Sequence, residues 1–232
     1  MLVSMFNTAL DLIFPITCYF CHRPGKDLCS NCESKYFKPF TKTKCHVCHG
    51  ILRIPGVYIH RLCVRNSALD GLFATYVLNE HLKRYIGQIK YGFYLKMIDP
   101  LKLKVRQTLS NRAFSYDLIT YVPLFSQRQR WRDFNQAQHL AQVVDFRALP
   151  LLKKFHSTKS QGFLNRNMRK INVNNCFRVI NRNAVKDKVI LICDDVYTTG
   201  STLNACARVL KEAGAIKVYG YVLAIDELAA DA

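Results

Sequence analysis

The sequence predicts an α/β protein, a parallel-sheet domain preceded by a small cysteine-rich module held by metal. Three observations carry that expectation. From Ala68 onward, strand-like and helix-like stretches alternate, the order expected of a parallel sheet with crossover helices. Before that point the chain holds closely spaced cysteine pairs and little apolar periodicity. Near the C-terminal end, an apolar run from Val189 to Cys193 leads into two adjacent acids and then a Thr/Gly/Ser turn.

The elements follow in order. Leu2, Met5, Phe6, Ala9, Leu10 and Ile13 recur at helical spacing, so Met1 to Ile16 reads as a short helix packed on the body. It lacks a basic leader and a small-residue cleavage site, and Asp11 interrupts its apolar stretch, so it does not read as a signal peptide. Residues 1–66 are expected to form this helix and the metal module, and residues 67–232 the α/β domain. Strands are expected at Leu69 to Leu78, Tyr116 to Val122, Phe177 to Ile180, Val189 to Cys193 and Val218 to Ala224. Helices are expected at His81 to Ile89, Lys96 to Leu109, Asn135 to Val144, Asn165 to Asn172 and Ser201 to Ala213, the last stopped by Gly214.

Composition narrows the function classes. Half of the 232 residues are hydrophobic, enough for a packed core and too many for a disordered chain. The longest apolar runs are a few residues, well short of the roughly 20 a membrane helix needs, so a cytoplasmic chain without a transmembrane segment is expected. Lys and Arg number 34 against 16 Asp and Glu, a formal charge of +18. That excess favours polyanionic partners, nucleic acid above all.

The ten cysteines are unevenly placed, seven of them before residue 64. Cys18 and Cys21, Cys29 and Cys32, and Cys45 and Cys48 each have the two-residue gap that lets a tight turn aim both side chains at one tetrahedral ion. His60 stands three residues before Cys63 and restores a fourth pair, giving ligands for two zinc ions, one Cys₄ and one Cys₃His. The physical need is plain, because so short a segment buries too little apolar surface to offset its chain entropy. Structural zinc supplies roughly 10–16 kcal/mol of apparent binding free energy in small fingers. His22, His46 and His49 sit inside or beside the turns and are less natural ligands.

The strongest chemical signal is Asp194-Asp195-Val196-Tyr197-Thr198-Thr199-Gly200-Ser201-Thr202. Ligands of open α/β sheets bind at the carboxyl ends of strands, where this turn must lie. Backbone N–H groups at the helix start, with the hydroxyls of Thr198, Thr199, Ser201 and Thr202, make a phosphate cradle. Gly200 lets the backbone approach an anion without a clashing Cβ. Asp194 and Asp195 suit the vicinal hydroxyls of a ribose attached to that phosphate, and a divalent cation such as Mg²⁺ would relieve their repulsion.

This run resembles the phosphoribosyl pyrophosphate motif of type I phosphoribosyltransferases: an apolar strand, two acids, then a Thr-Thr-Gly turn. More of the chain resembles the competence protein F (ComF) family, which joins a double zinc ribbon to such a domain. The matching residues are Leu12-Ile13-Phe14-Pro15 before Cys18, the cysteine pairs, and Val122-Pro123-Leu124. They continue with Arg128, Arg130 and Arg132 before Phe134-Asn135-Gln136, then Asn165-Arg166, Arg169 and Asn172-Val173 ahead of Phe177. Asp133 stands where the family usually has Gly, and His60 where it usually has Cys.

The resemblance implies phosphoribosyl pyrophosphate as ligand, with Asp194 and Asp195 on the ribose and Tyr197 to Thr202 on the sugar phosphate. Arg128 or Arg130 would meet the pyrophosphate, with Lys90 of the Lys90-Tyr91 pair a further candidate. It also implies a role in natural competence and DNA uptake, with single-stranded DNA as a partner; beside it stands a protein-interaction scaffold whose zinc module docks a competence helicase or channel protein. Read physically, Arg128 to Arg132 with Trp131 suits either pyrophosphate or a stacked single strand. Two functions stand side by side: phosphoribosyl transfer to a nitrogen acceptor, or non-catalytic handling of single-stranded DNA.

Overall fold

The computed structural model describes residues 15–41, 45, 48, 50, 67–91, 94–110, 115–125, 134–155 and 176–226. Most of the expected N-terminal helix, His60 and Cys63, the arginine-rich loop 126–133 and the expected helix at 165–172 lie outside these residues. The described elements begin with helix α1, Ser30–Tyr36, followed by strand β1, Gly71–Val77, and helix α2, Glu80–Tyr91. A 3-10 helix, Leu95–Leu101, runs into α3, Lys102–Ser110. Next come β2 (Leu118–Tyr121), α4 (Gln136–Val144), β3 (Leu152–Lys154), β4 (Phe177–Val179) and α5 (Arg182–Val185). The chain closes its sheet with β5 (Val189–Tyr197), α6 (Ser201–Glu212) and β6 (Lys217–Ile225).

Among the described residues, four strands form a parallel sheet in the order β1-β6-β5-β2, the architecture the alternating pattern predicts. Every residue of β1 is buried, and Ile190 to Cys193 of β5 are fully so. Continuous burial along a strand means that both faces are covered, as expected of a parallel sheet. On the covering layers, α3 and α4 pack on each other, and α6 packs on β5, β6 and β4. Strands β3 and β4 stand apart as an antiparallel ribbon.

Three differences from the sequence reading have local causes. The expected helix at Lys96 to Leu109 is split, because Pro100 lacks the N–H an α-turn needs and sits in the 3-10 portion. Strand β5 does not end at Cys193 but continues through both acids to Tyr197, because its ladder to β6 persists to Tyr197↔Ile225. Strand β3 and helix α1 are short, and neither shows a period in sequence.

The cysteine-rich segment is built onto the sheet. The Val77 N–H donates to the Lys38 carbonyl at 2.8 Å and the Phe40 N–H to the Thr75 carbonyl at 2.9 Å, which covers the free edge of β1. Phe37 packs on Tyr76 and Tyr85 with ring centroids 5.4 and 5.2 Å away, and the Tyr76 hydroxyl donates to Glu33 at 2.7 Å. Asn135 caps α4 through the Ala137 N–H at 3.0 Å, and its amide donates to the Val122 carbonyl at 3.0 Å. That single side chain fixes where the helix leaves the end of β2.

Candidate functional site

Strand β2 stops pairing with β5 at Tyr121↔Cys193, and the Val122 N–H makes the last bond, to the Cys193 carbonyl at 2.9 Å. Beyond that bond β5 is paired on the β6 side, and Asp194 to Tyr197 line the opened carboxyl end of the sheet. This is where ligands of open α/β sheets bind.

The turn is shaped by two residues. Gly200 has φ +70°, in the left-handed region, and is the N-cap of α6 with no side-chain cap bond. The Tyr197 side chain, 8% exposed, lies under it, and any Cβ at position 200 would meet the Tyr197 ring and hydroxyl. Tyr197 therefore supports the turn from beneath. Thr199 Oγ1 and Ser201 Oγ are 3.0 Å apart, so the two hydroxyls converge at the start of the helix. Asp194, Val196 and Tyr197 to Leu203 line a small hollow of about 40 Å³.

Adjacent strand residues face opposite sides, and the two acids divide accordingly. Asp194 lines the hollow. Asp195 lies outside that lining and pairs with Lys90, whose Nζ is 2.5 Å from Oδ2. The Asp195 N–H donates to Asp194 Oδ1 at 2.9 Å. Burial, and next the negative charge of Asp195, hold the Asp194 carboxyl well above the ordinary carboxylate range. Burial works against the charge on Lys90, but Asp195 and then Asp194 outweigh it and raise the ammonium above its ordinary value. A cation thus already stands beside the two acids.

One contact had no sequence signal. Asn204 of α6 accepts from the Ala68 N–H at 2.6 Å, tying the helix behind the turn to the entry of β1.

The metal module is built from the same kind of local geometry. Cys18, Cys21, Cys29 and Cys32 place their sulfurs within 4.8 Å of one another, so they could hold a metal ion. The first pair is turned by the Cys18 N–H to Arg23 carbonyl bond at 2.8 Å and by His22 at φ 56°. Cys29 is the N-cap of α1, which carries Cys32 back toward the first pair.

Burial works to raise the Cys18 thiol, but N–H groups of Cys21, Cys29 and Phe20 bring it down to about 6. Burial and the neighbouring sulfurs push Cys32 up to about 12. Four sulfurs this close cannot all ionise alone, and a thiophilic dication is the group that fits such a set. Of the second expected set, Cys45 is buried and Cys48 exposed. The Cys45 N–H donates to the Gly50 carbonyl at 2.8 Å.

The parallel sheet, with two acids at the open end of β5 and the glycine turn after them, defines a phosphoribosyltransferase-type protein. A family model described as phosphoribosyl transferase domain matches residues 135–229. The DNA utilization protein YhgH of Escherichia coli (strain K12) is 34% identical over 237 residues, spanning 91% of this chain and 98% of that protein. Competence protein ComFC of Bacillus subtilis (strain 168) is 27% identical over 201 residues, 83% of this chain and 81% of its own. Competence protein F of Haemophilus influenzae is 27% identical over 224 residues, 89% and 96% respectively. The chain belongs to the competence protein F family. Among the described residues, no helix is long and apolar enough to cross a membrane.

Proposed function

We propose that this chain binds phosphoribosyl pyrophosphate at the open end of β5 and serves competence and DNA utilization, the roles that its relatives' names give for them. The observation that carries this reading is the hollow itself. Asp194, Thr198, Thr199, Ser201 and Thr202 line it around the glycine-capped start of a 12-residue helix, with the Thr199 and Ser201 hydroxyls 3.0 Å apart. The helix start suits a sugar phosphate. Asp194 accepts from a ribose hydroxyl, and Asp195 accepts from its neighbour once Lys90 turns toward the ligand's phosphates. Mg²⁺, with the hard oxygen donors of the ligand and this acidic pair, would neutralise the leaving pyrophosphate.

The chemistry this arrangement supports is phosphoribosyl transfer to a nitrogen acceptor. The bond from the anomeric carbon to the pyrophosphate oxygen breaks, a bond to nitrogen forms, and the nitrogen releases its proton. Arg128 and Arg130 are assigned the pyrophosphate by resemblance, at the start of the segment that runs into α4. Zinc is the ion proposed for Cys18, Cys21, Cys29 and Cys32. A second zinc is proposed for Cys45 and Cys48 with His60 and Cys63.

The deciding experiment is calorimetric titration of phosphoribosyl pyrophosphate with Mg²⁺ into the zinc-loaded chain and its Asp194→Asn/Asp195→Asn variant. Binding that the variant loses supports the site and justifies screening nitrogen bases for pyrophosphate release. Absence of binding to the folded, zinc-loaded wild type removes this reading. The +18 charge favours a second reading in parallel, a single-stranded DNA contact that needs no catalysis.

A further inference from the structure

The β3–β4 ribbon carries an arrangement that neither the fold nor the ribose-phosphate turn requires. Its inner face holds Leu152 and Phe177, both 3% exposed, and Lys154, whose Nζ lies 5.3 Å from the Phe177 ring centroid. Helix α6 packs on β4, which together with the burial of Leu152 and Phe177 orients this face toward the helix. The outer face, one residue out of phase, presents Lys153, Phe155, Arg178 and Ile180, all exposed.

Lys153 and Arg178 are direct cross-strand partners. Like charges placed opposite each other destabilise a ribbon. No carboxylate among the described residues lies within ion-pair distance of either cation. Both converge instead on one aromatic ring: Lys153 Nζ is 5.5 Å and Arg178 Cζ 4.9 Å from the Phe155 centroid. Phe155 keeps 43% of its surface exposed, and Ile180 beyond the pair keeps 57%.

Two cations with no carboxylate partner among the described residues, gathered at one exposed aromatic residue, match what a single-stranded nucleic acid offers, phosphates alternating with bases that stack. An anion alone would not call for the exposed ring, and an apolar partner would not call for the cations. We propose that the outer face of the β3–β4 ribbon is a single-stranded DNA contact, with Phe155 stacking on a base and Lys153 and Arg178 on the adjoining phosphates. This rests on the second reading above and names the surface through which that contact is made. It lies on separate strands from the ribose-phosphate turn.

The test is fluorescence anisotropy with a labelled oligothymidylate of about 20 nucleotides, across a salt series, on the full zinc-loaded chain. Lys153→Ala/Arg178→Ala should weaken binding at least about tenfold near 0.1 M salt. It should also flatten the slope of log K against log salt by about 1.4, two phosphate contacts at about 0.7 each. Phe155→Ala should weaken binding at least about fivefold with the slope unchanged, and Phe155→Trp should bind as wild type does. Unchanged melting, zinc content and phosphoribosyl pyrophosphate binding establish that the variants are folded. Wild-type binding that the folded variants retain overturns the assignment to the ribbon. Absence of oligonucleotide binding by wild type removes the DNA-contact reading with it, while the titration of phosphoribosyl pyrophosphate stands separately. Equal binding of a blunt duplex, insensitive to Phe155→Ala, also overturns the proposal, because a paired base cannot stack on the ring.

Discussion

Lys90, in the last turn of α2, and Asp195, in the second half of β5, form an ion pair 2.5 Å long with 27% and 19% of their side chains exposed. The pair lies outside the lining of the hollow and is joined to it through the Asp195 N–H, which donates to Asp194 Oδ1 at 2.9 Å. A ligand that uses Asp195 must release Lys90, and a ligand that carries phosphates gives the released ammonium a new partner. The same lysine thus neutralises the acids in the free protein and is available to the ligand's charge afterwards.

Replacing Lys90 separates these roles. Lys90→Met leaves Asp195 half-buried without its counter-ion, and stability at neutral pH should fall by about 1–2 kcal/mol, a discounted figure because solvent still reaches the pair. Affinity for phosphoribosyl pyrophosphate should fall about tenfold or more. Denaturant titration and calorimetry on the same protein read both effects.

The turn depends on glycine at 200. Gly200→Ala forces a Cβ onto the Tyr197 ring at a backbone angle that L-residues avoid, and should cost about 1–3 kcal/mol. Ligand binding should be lost with it. Gly200→Ala/Tyr197→Ala removes the clash but not the backbone strain, so it should recover only part of the binding. Equal affinity of Gly200→Ala and wild type would mean that the turn does not contact ligand.

The Asp194 carboxyl gives a pH signature. Its value in the folded protein is raised, so the native state holds a proton that the unfolded chain releases near 3.8. Stability from this group is present below that value and is lost as pH rises through the raised one. Asp194→Asn should therefore match wild type at acid pH and exceed it above neutrality by about 1–2 kcal/mol. Thermal melting from pH 5 to pH 9 checks the sign. A variant no more stable than wild type at pH 9 refutes the burial argument.

Metal removal should reach the sheet. Phe20 and Phe37 from the cysteine-rich segment pack on Tyr85 of α2, and Phe37 also on Tyr76 of β1. Chelation, or Cys29→Ser, should lower the melting temperature of the whole chain in one cooperative transition rather than melt the module alone. Circular dichroism with zinc release followed in parallel distinguishes the two outcomes.

The sequence by itself determined the features that are periodic or local. The apolar run of β5, the amphipathic α6 stopped by Gly214 at φ 100°, and the two-residue cysteine gaps each satisfy a constraint within a few residues. The order of elements followed from them, because parallel strands need crossovers and crossovers here are helical.

Tertiary structure decided what depends on residues distant in the chain. Lys90 reaches Asp195, and Asn204 reaches Ala68, only once β1, β5 and β6 lie side by side. The continuation of β5 through its acids is set by the length of β6. The two acids looked equivalent as neighbours in sequence, yet strand geometry sends Asp194 to the hollow and Asp195 to Lys90. Lys153 and Arg178 show no pattern until the ribbon fixes their register and sets two cations and one aromatic ring on a single face. Local patterning is set by each segment's own hydrogen bonds and burial, whereas a site is set by register between segments, which no single segment encodes.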